Sequence, residues 1–467
     1  MKFYGGYLPK LGGRPSSILD ELPLPELLYL DLSRQGVKYT PVVREGERIG
    51  LGDTLAEAVN ETGSLFLPSP AYGIVSLDGG NSGEAERIVL KTGDAFEQEG
   101  SGKRFQPHRI TSEEMRDALA KGGIWPFFWS SKTKGTPGFG EFEKPRAVIV
   151  NCILTEPFRA RGKVILRHAW NRIIRGISFL PRLMEDYSKM EIVLTAKNDP
   201  VAKMMHLELA GHAWIRFHTI PLAYPYEDPR ILHKALLRSD PALSKDDVIW
   251  VIDVQGIEAL GACLSEGLPL YRRIVAIGGP AQSNPRHVLV RIGTPLKLLV
   301  DVSVIREKDL VLRGGLLRGT PLDPVNDSVQ FDDDAFFVLA RGSRRDFLAF
   351  LHPGFERTSM SPCFASSLTG GADTHITASL RGERRPCISC CRCEEVCPAR
   401  LMPQVLHRYI YRGALEAAES AGIGLCVECG LCSYVCPSKI ELLQQVVEAK
   451  RQLREEMSEA VAAVGEG

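Results

Sequence analysis

Residues 387–398 of this chain, CISCCRCEEVCP, decide how its C-terminal part folds. Their pattern is C-x2-C-x2-C-x3-C-P, and it returns in residues 426–437, CVECGLCSYVCP. In each copy three cysteines follow one another closely, and the fourth stands before a proline. A loop of this spacing brings three thiolates to one face of an iron–sulfur cube.

The fourth cysteine of such a run usually binds the other cluster of a pair. We therefore predict two [4Fe–4S] clusters whose ligands come from both runs. The first cluster is bound by Cys387, Cys390, Cys393 and Cys436, and the second by Cys426, Cys429, Cys432 and Cys397. Cys391 lies inside the first run but outside its spacing, and we interpret it as a free thiol near the first cluster.

Two other uses of these cysteines fit the sequence less well. A zinc ribbon needs four ligands from two C-x2-C pairs, so the third and fourth cysteines of each run would have no purpose. Disulfide frameworks are typical of short secreted chains, whereas this chain has 467 residues and begins with MKFYGGYLPK, which lacks the apolar core of a signal peptide. Three further cysteines are scattered singly and are predicted to be small buried hydrophobes: Cys152, Cys263 and Cys363.

The charge balance gives no support to nucleic-acid binding. Lysine plus arginine and aspartate plus glutamate number 57 each, so no net field would gather an anionic polymer. The longest apolar runs, such as residues 147–150 and 296–300, are far shorter than the roughly 20 residues of a spanning helix. We therefore expect no transmembrane segment of its own, and any membrane role must come through partners.

Short β-like runs bounded by glycine and proline fill the first hundred residues, which predicts a small barrel or sandwich. Residues 43–49, 52–56 and 68–75 resemble the barrel-sandwich hybrid fold of biotinyl and lipoyl carriers. The hairpin that would present the modifiable lysine of such a carrier, residues 60–64, has no lysine. We expect a packing or docking role for this segment.

Strand-like and helix-like runs alternate from residue 105 to residue 268, the rhythm of a parallel α/β sheet. Nucleotides bind such sheets beside glycine-rich turns, and the candidate turn, residues 121–126 (KGGIWP), has only two glycines. His206, His212 and His218 are six residues apart, a spacing that would put them on one face of a strand. We interpret them as ordinary polar histidines.

The cysteine runs differ in the charges close to them in sequence. The first run has three nearby glutamates and five arginines: Arg381, Arg384, Arg385, Arg392 and Arg400. The second has only Glu428 and Lys439. Because positive charge favours the reduced, more anionic cluster, we predict the higher potential for the first cluster. Apolar residues at helical intervals between and after the runs favour an α-helical dicluster domain.

The order of these parts resembles two related families, the RnfC subunit of the Rnf electron-transport complex and the NqrA subunit of the sodium-translocating NADH:quinone reductase. The resemblance is carried by residues 288–296 (VLVRIGTPL), by the glycines of residues 314–319, by residues 224–228 (YPYED) and by the cysteine runs. It implies a multidomain α/β plus β fold: a barrel-sandwich hybrid domain (1–104), a Rossmann-like α/β domain resembling the complex I flavoprotein subunit (105–268), a soluble-ligand-binding β-grasp (SLBB) domain (269–345), a linker (346–380) and an α-helical dicluster ferredoxin domain (381–467).

Two departures separate the chain from the Rnf subunit. That family carries a Gly-Gly-x-Gly-Phe-Pro-Thr loop for FMN and NADH, and the equivalent residues 122–127 lack the third glycine. It also carries a Glu-Cys-Glu-Pro phrase, of which residues 154–157 keep only the second acid, Glu156. FMN and NADH sites are therefore not carried over, and no catalytic residue is assigned. The NqrA family, in turn, generally lacks the cysteine runs.

The resemblance implies an electron-transfer subunit of a membrane-associated, ion-translocating oxidoreductase of the Nqr or Rnf type. Its partners would be membrane-embedded and flavin-carrying subunits, and it would lie in the cytoplasm on the inner face of the cell membrane. Two alternatives stay open. One is an FMN-dependent NADH dehydrogenase whose α/β domain feeds the clusters, and the other is an architectural module whose clusters serve stability.

Overall fold

The structure is a computed structural model that describes residues 1–34, 37–60, 63–79, 85–93, 102–138, 143–184, 188–194, 199–342, 376, 378 and 384–465. The predicted linker, residues 346–380, lies outside the described residues except for Ile376 and Ala378. Cys363 and Arg381 also lie outside them, as does part of the hairpin at residues 60–64.

Short strands build the first hundred residues. They are β1 (Leu19–Glu21), β2 (Leu27–Asp31), β3 (Ser33–Arg34), β4 (Val37–Lys38), β5 (Thr40–Pro41), β6 (Arg48–Ile49), β7 (Thr54–Asn60), β8 (Gly63–Pro68), β9 (Gly73–Gly79) and β10 (Ala85–Thr92). One sheet has the order β2-β10-β9-β6, another has the order β5-β7-β8, and β3 pairs with β4. Alternate side chains such as Leu28 and Leu30 are fully buried between them, as expected for strands with one face in a core.

The α/β segment contains five strands and six helices. They are α1 (Ser112–Lys121), β11 (Trp129–Ser130), β12 (Ala147–Asn151), α2 (Gly162–His168), α3 (Trp170–Phe179), β13 (Lys189–Leu194), α4 (Pro200–Glu208), β14 (Ile215–Thr219), α5 (Pro229–Leu237), β15 (Ile249–Asp253) and α6 (Val254–Glu266). Strands β15, β12, β13 and β14 run parallel in that order, and β11 adds an antiparallel edge. The strand order therefore reverses between β12 and β15, the kind of position where ligands commonly bind such sheets.

Both faces of this sheet are covered, which is why β12 is apolar from Ala147 to Val150. Val148 and Val150 belong to the large core shared with helices α3 and α6. Ala147 and Ile149 belong to a second core that also holds residues of α5 and of the cysteine-rich segment. The cysteine-rich segment thus packs directly on the α/β segment.

The third segment is a mixed sheet with one short helix. Its elements are β16 (Arg272–Gly278), β17 (Arg286–Arg291), α7 (Val302–Glu307), β18 (Leu310–Arg313), β19 (Thr320–Leu322) and β20 (Ala335–Leu339). The sheet has the order β1-β17-β16-β20-β18-β19 and encloses its own apolar core. Strand β1 pairs in parallel with β17, so residues 19–21 belong to this sheet and not to the sheets of the other early strands.

The C-terminal segment is helical. Its helices are α8 (Arg392–Glu395), α9 (Pro403–Tyr411), α10 (Leu415–Ser420), α11 (Leu431–Tyr434) and α12 (Leu442–Gly465), and a small core joins α9, α10 and α12. Turns of 3₁₀ helix lie at Trp125–Phe127, Leu180–Leu183, Leu296–Leu298 and Ile423–Leu425. A mixed α/β fold with several sheets and a helical C-terminal part is confirmed. The finer domain identities, barrel-sandwich hybrid, Rossmann-like and SLBB, stay predictions.

The three histidines do not lie on one strand, so their spacing does not put them on one face. His206 lies in α4 and stacks on Phe217 with 3.9 Å between ring centroids, and His212 lies in the turn that follows the helix. His218 lies in β14, 2.5 Å from the carboxylate of Glu191. The helical turn before Gly211 breaks the period-two pattern that the spacing suggested.

Candidate metal centres

The two cysteine runs fold as two copies of one loop. Each copy takes the left-handed backbone conformation at the same three positions, which are Ser389, Cys391 and Arg400 (φ 55°, 58° and 60°) in the first and Glu428, Gly430 and Lys439 (φ 55°, 78° and 56°) in the second. Cys391 therefore stands where the second copy has a glycine, in a conformation that glycine favours. Its place in the run is explained by the loop that it helps to form.

The structure brings the eight predicted ligands together in two groups around two small cavities. The first cavity is bordered by four of these ligands, Cys387, Cys390, Cys393 and Cys436, and also by Cys391. Four others border the second: Cys426, Cys429, Cys432 and Cys397. Each group takes three thiols from one run and one from the other, and the rest of the second wall is largely apolar, with Leu406 and Val446.

This donor arrangement fits a multi-iron cube better than a single ion. The four thiols of a cubane bind different iron atoms and are spread around it, whereas zinc ligands all lie about 2.3 Å from one point. The predicted ligands line the walls of the two cavities.

Burial makes free thiolates unfavourable at both centres. It raises the pKa of Cys429 to about 12 and the pKa of Cys393 to about 11. It also raises the pKa of Cys432, on which Cys429 and Cys426 act in the same direction. Thiolates become stable in such a place when a bound metal supplies positive charge. The residues present thus fit an iron–sulfur cluster in each cavity.

Side chains from distant parts of the chain hold the loop of the second centre. The Tyr224 hydroxyl donates to the Cys429 carbonyl at 2.7 Å. Arg230 and Arg318 both donate to the Val427 carbonyl, at 2.6 and 3.1 Å. These bonds satisfy carbonyl groups that would otherwise be buried without partners. They also fix the second centre against the α/β segment.

A third cation, Lys450 of α12, lies beside the second centre. Its ammonium donates to the Cys426 carbonyl at 3.2 Å and pairs with Glu428. With Arg230 and Arg318, which both pair with Asp228, it places three cations and two carboxylates beside this centre. The higher potential of the first cluster was predicted from charges close in sequence alone, and it stays a prediction.

The first centre lies nearer to the surface. Cys390 and Cys391 are exposed, and Ile388 between the first two ligands is 65% exposed. On the inner side the Cys393 thiol donates to the amide oxygen of Gln404, a buried residue, at 3.3 Å. The first centre is therefore the more accessible of the two from outside.

A third cavity, of about 600 Å³, opens at the carboxyl ends of β12 and β13. Its wall is formed by residues 8–15, by residues 152–159 and by the first residues of α2 and α4. It holds Glu156 and several cations, among them Arg161 and Lys163. Its volume is sufficient for a small molecule.

The predicted nucleotide turn at residues 121–126 lies away from that cavity. Gly122 ends α1, and the indole of Trp125 is buried against Trp250 with 5.6 Å between centroids. Gly123 has φ 74° and faces Pro68 of the N-terminal strands. Lys121 and Gly122 line a separate cavity of about 440 Å³.

Two buried glutamates stand between the third cavity and the second centre. Glu227 accepts hydrogen bonds from the Thr155 hydroxyl and, at 2.9 Å, from the backbone N–H of Glu156. Burial raises the pKa of Glu227 to about 7, although Arg159 and Arg318 oppose the shift. Burial also raises the pKa of Glu156, which lines the cavity.

Comparison with known families agrees with this organisation. Residues 110–268, from α1 to α6, match the NqrA second alpha/beta domain, and residues 386–440 match the 4Fe-4S dicluster domain. The chain is similar to NqrA. The predicted resemblance to NqrA with a C-terminal dicluster domain is therefore confirmed.

The similarity to curated proteins spans most of the chain. The NqrA protein of Cellvibrio japonicus (strain Ueda107), from a Na(+)-translocating NADH-quinone reductase, is 27% identical over 92% of this chain and 94% of that protein. The NqrA of Photorhabdus laumondii is 23% identical, with the same two shares covered. The NqrA of Pseudomonas aeruginosa (strain UCBPP-PA14) is 25% identical over 93% of this chain and 94% of that protein.

Sequence reasoning did not identify the cations and carboxylates around the second centre as site residues. Glu227 and Arg318 fall in segments, residues 224–228 and 314–319, that carried the resemblance, which was their only signal. No sequence pattern pointed to Lys450, because the carbonyl that it contacts belongs to Cys426, 24 residues earlier in the chain.

Proposed function

We propose that this chain is the iron–sulfur electron-transfer subunit of a membrane-associated, ion-translocating oxidoreductase of the Nqr or Rnf type. Two [4Fe–4S] clusters would relay single electrons. The ligands of the first would be Cys387, Cys390, Cys393 and Cys436, and those of the second Cys426, Cys429, Cys432 and Cys397. The observation that carries the proposal is the pair of cavities, each bordered by four of the eight thiols.

A bound cubane cluster supplies one-electron chemistry, and the chain supplies its surroundings. Leu406 and Val446 keep water from the second cavity. Arg230, Arg318 and Lys450 place positive charge beside it, which stabilises the more negative, reduced state. The exposed first centre and the buried second one suggest a route from the surface towards the α/β segment.

The proposed partners are membrane-embedded and flavin-carrying subunits, because the similar proteins are named as subunits of Na(+)-translocating NADH-quinone reductase. None of the helices in the described residues has the length and apolarity needed to cross a bilayer. We place the chain in the cytoplasm, bound to the inner face of the membrane through those partners.

Cysteine replacement in the assembled complex tests this function. Cys429→Ser should abolish electron flow from donor to quinone or NAD in membranes while the complex still assembles, because one ligand of the second cluster is lost. Cys152→Ser, at a buried cysteine outside the cluster runs, should leave the flow intact. Undiminished flow in Cys429→Ser would show that the clusters are architectural and would refute the proposal.

The alternative, an FMN-dependent NADH dehydrogenase, has one observation in its favour, the 600 Å³ cavity beside Glu156. Anaerobic purification followed by acid release of cofactors would decide it. One flavin per chain and rapid NADH-dependent bleaching would support this alternative, and neither is expected for a subunit that only relays electrons.

A further inference from the structure

The buried glutamates and the loop of the second centre have one neighbouring cation in common, Arg318. Thr155 and Glu156 connect Glu227 to the cavity wall. The Arg318 guanidinium pairs with Asp228 at 2.8 Å and donates to the Val427 carbonyl at 3.1 Å. Val427 follows the ligand Cys426 directly, so this cation contacts the loop that surrounds the second cluster.

Glu156 also has a buried carboxylate oxygen with no hydrogen-bond partner, in the wall of the 600 Å³ cavity. Its neighbour Glu227 is 6% exposed and takes its hydrogen bonds from residues of that wall. Water in the cavity can therefore reach the carboxylate of Glu156, and Thr155 and Glu156 connect that wall to Glu227.

The charges around the pair nearly balance. The groups that face Glu227 and Glu156 come from four elements and are Arg159 after β12, Arg318 after β18, Asp334 before β20, and Tyr224 and Asp228 before α5, with Arg230 paired to Asp228. Arg318 acts electrostatically on Glu156, on Glu227 and on the Cys429 thiol. One added negative charge at the second centre would therefore be felt by the carboxylates, since buried charges are little screened.

We propose that Glu227 is a redox-linked proton site, which takes up one proton from cavity water when the second cluster gains one electron. The electron comes from the donor that the proposed electron-transfer function requires. The proton converts the carboxylate to a carboxylic acid, so the net charge of cluster and carboxylate together does not change. The inference rests on that proposed function. Glu227 is a positioning and proton-holding residue here, because it does not touch the cluster.

Redox titration followed by EPR at several pH values tests the inference on the complete protein. The midpoint of the second cluster should fall as the pH rises above 7, by up to a tenfold change in the reduction equilibrium per pH unit, or 59 mV for one electron. The exposed first cluster, in the same sample, should show no such slope. Glu227→Gln, which keeps an oxygen acceptor for Thr155, should flatten the slope of the second cluster.

Two further variants locate the proton. Glu191→Gln removes the fully buried carboxylate of strand β13, which is paired with His218. This variant should leave the pH dependence of the second midpoint unchanged. Thr155→Val removes a hydrogen bond to the charged form of Glu227, so the slope should begin at a higher pH. A slope that survives in Glu227→Gln would overturn the proposal.

Infrared difference spectra of the unmodified protein give a second readout that does not depend on folding of the variants. A carboxylic-acid carbonyl band should appear on reduction, and its absence would also overturn the inference. Failure of the proposed function looks different, because it would leave no cluster signal to titrate. If both clusters are present but the midpoint potential of the second does not change with pH, only the proposal of the proton site is overturned.

Discussion

Arg318 shows how a single residue can serve a site that lies far along the chain. It is separated by 109 residues from Val427, yet its guanidinium donates to that carbonyl and pairs with Asp228 at 2.8 Å. The charge lies mostly buried beside the second centre, where water screens it weakly. Arg318 therefore contributes both to holding the loop and to the potential of the cluster.

We expect Arg318→Gln to lower the midpoint potential of the second cluster by on the order of 50–100 mV, because a charge lost at roughly 10 Å corresponds to about 1–2 kcal/mol at an effective dielectric constant of 20. EPR-monitored redox titration would measure it. Arg451→Gln, on the exposed side of α12 beside Glu448, is the matched control and should change neither midpoint. Equal midpoints in the native protein and Arg318→Gln would disprove the electrostatic role.

His287 makes the stability of the fold depend on pH. It is fully buried, with Nδ1 donating to the Ser16 carbonyl at 2.6 Å and Nε2 accepting from the backbone N–H of Arg161 at 3.1 Å. Burial lowers the pKa of His287 to about 4. A second proton would place an N–H against the N–H of Arg161.

The unfolded chain binds this proton near pH 6.5 and the folded chain does not, so the contribution of neutral His287 to the free energy of unfolding should be fully present above pH 6.5. The free energy of unfolding should fall by about 3 kcal/mol as the pH drops to 4. Urea unfolding across this range would show the slope. His287→Gln should be less stable at neutral pH but should lose this contribution to the slope, and an unchanged slope would contradict the assignment.

The two cysteine loops are the elements on which the site depends, and the sequence predicts them well. Read with the cross-ligation rule, the spacing of the runs predicts which thiols bind each cluster, and the four thiols of each predicted set line one cavity. The repeated local pattern also folds into a repeated local structure. The strands of the α/β sheet, such as β12 and β15, were also visible as apolar runs. The contacts of Arg230, Arg318 and Lys450 were not, because they depend on tertiary packing that no local pattern encodes.

The paired replacements Cys397→Ser and Cys436→Ser test the cross-ligation. Cys397→Ser should remove the second cluster and Cys436→Ser the first, although each residue belongs to the opposite run. Iron analysis should find about half of the native iron in each variant, and EPR should show which signal is lost. Cys391→Ser should keep both clusters. Loss of the first signal in Cys397→Ser would mean that each run binds its own cluster.

At the scale of the whole molecule, the N terminus supports the C-terminal clusters. The backbone N–H of Gly6 donates to the Val396 carbonyl at 2.9 Å, and the Tyr226 hydroxyl donates to the Gly5 carbonyl at 2.8 Å. Gly5 has φ 55°, and a Cβ there would lie 2.6 Å from the backbone of the ligand Cys397. The first residues, the α/β segment and the second centre thus form one packed unit.

Gly5→Ala should therefore lower both the melting temperature and the iron content, because the new methyl group would displace Cys397. Gly46→Ala is a matched control, since Gly46 has φ 76° but has nothing within 4 Å of the added Cβ. The control should cost only about 1–2 kcal/mol from the left-handed backbone and keep its iron. Equal iron content in both variants would show that the N terminus does not position the cluster ligand.

Chemical analysis of anaerobically purified protein would show whether eight cysteines hold two iron–sulfur cubes. We expect about eight iron atoms and eight acid-labile sulfides per chain, with two distinguishable EPR signals after reduction. A colourless protein, or one that binds zinc in place of iron, would refute the assignment of two clusters.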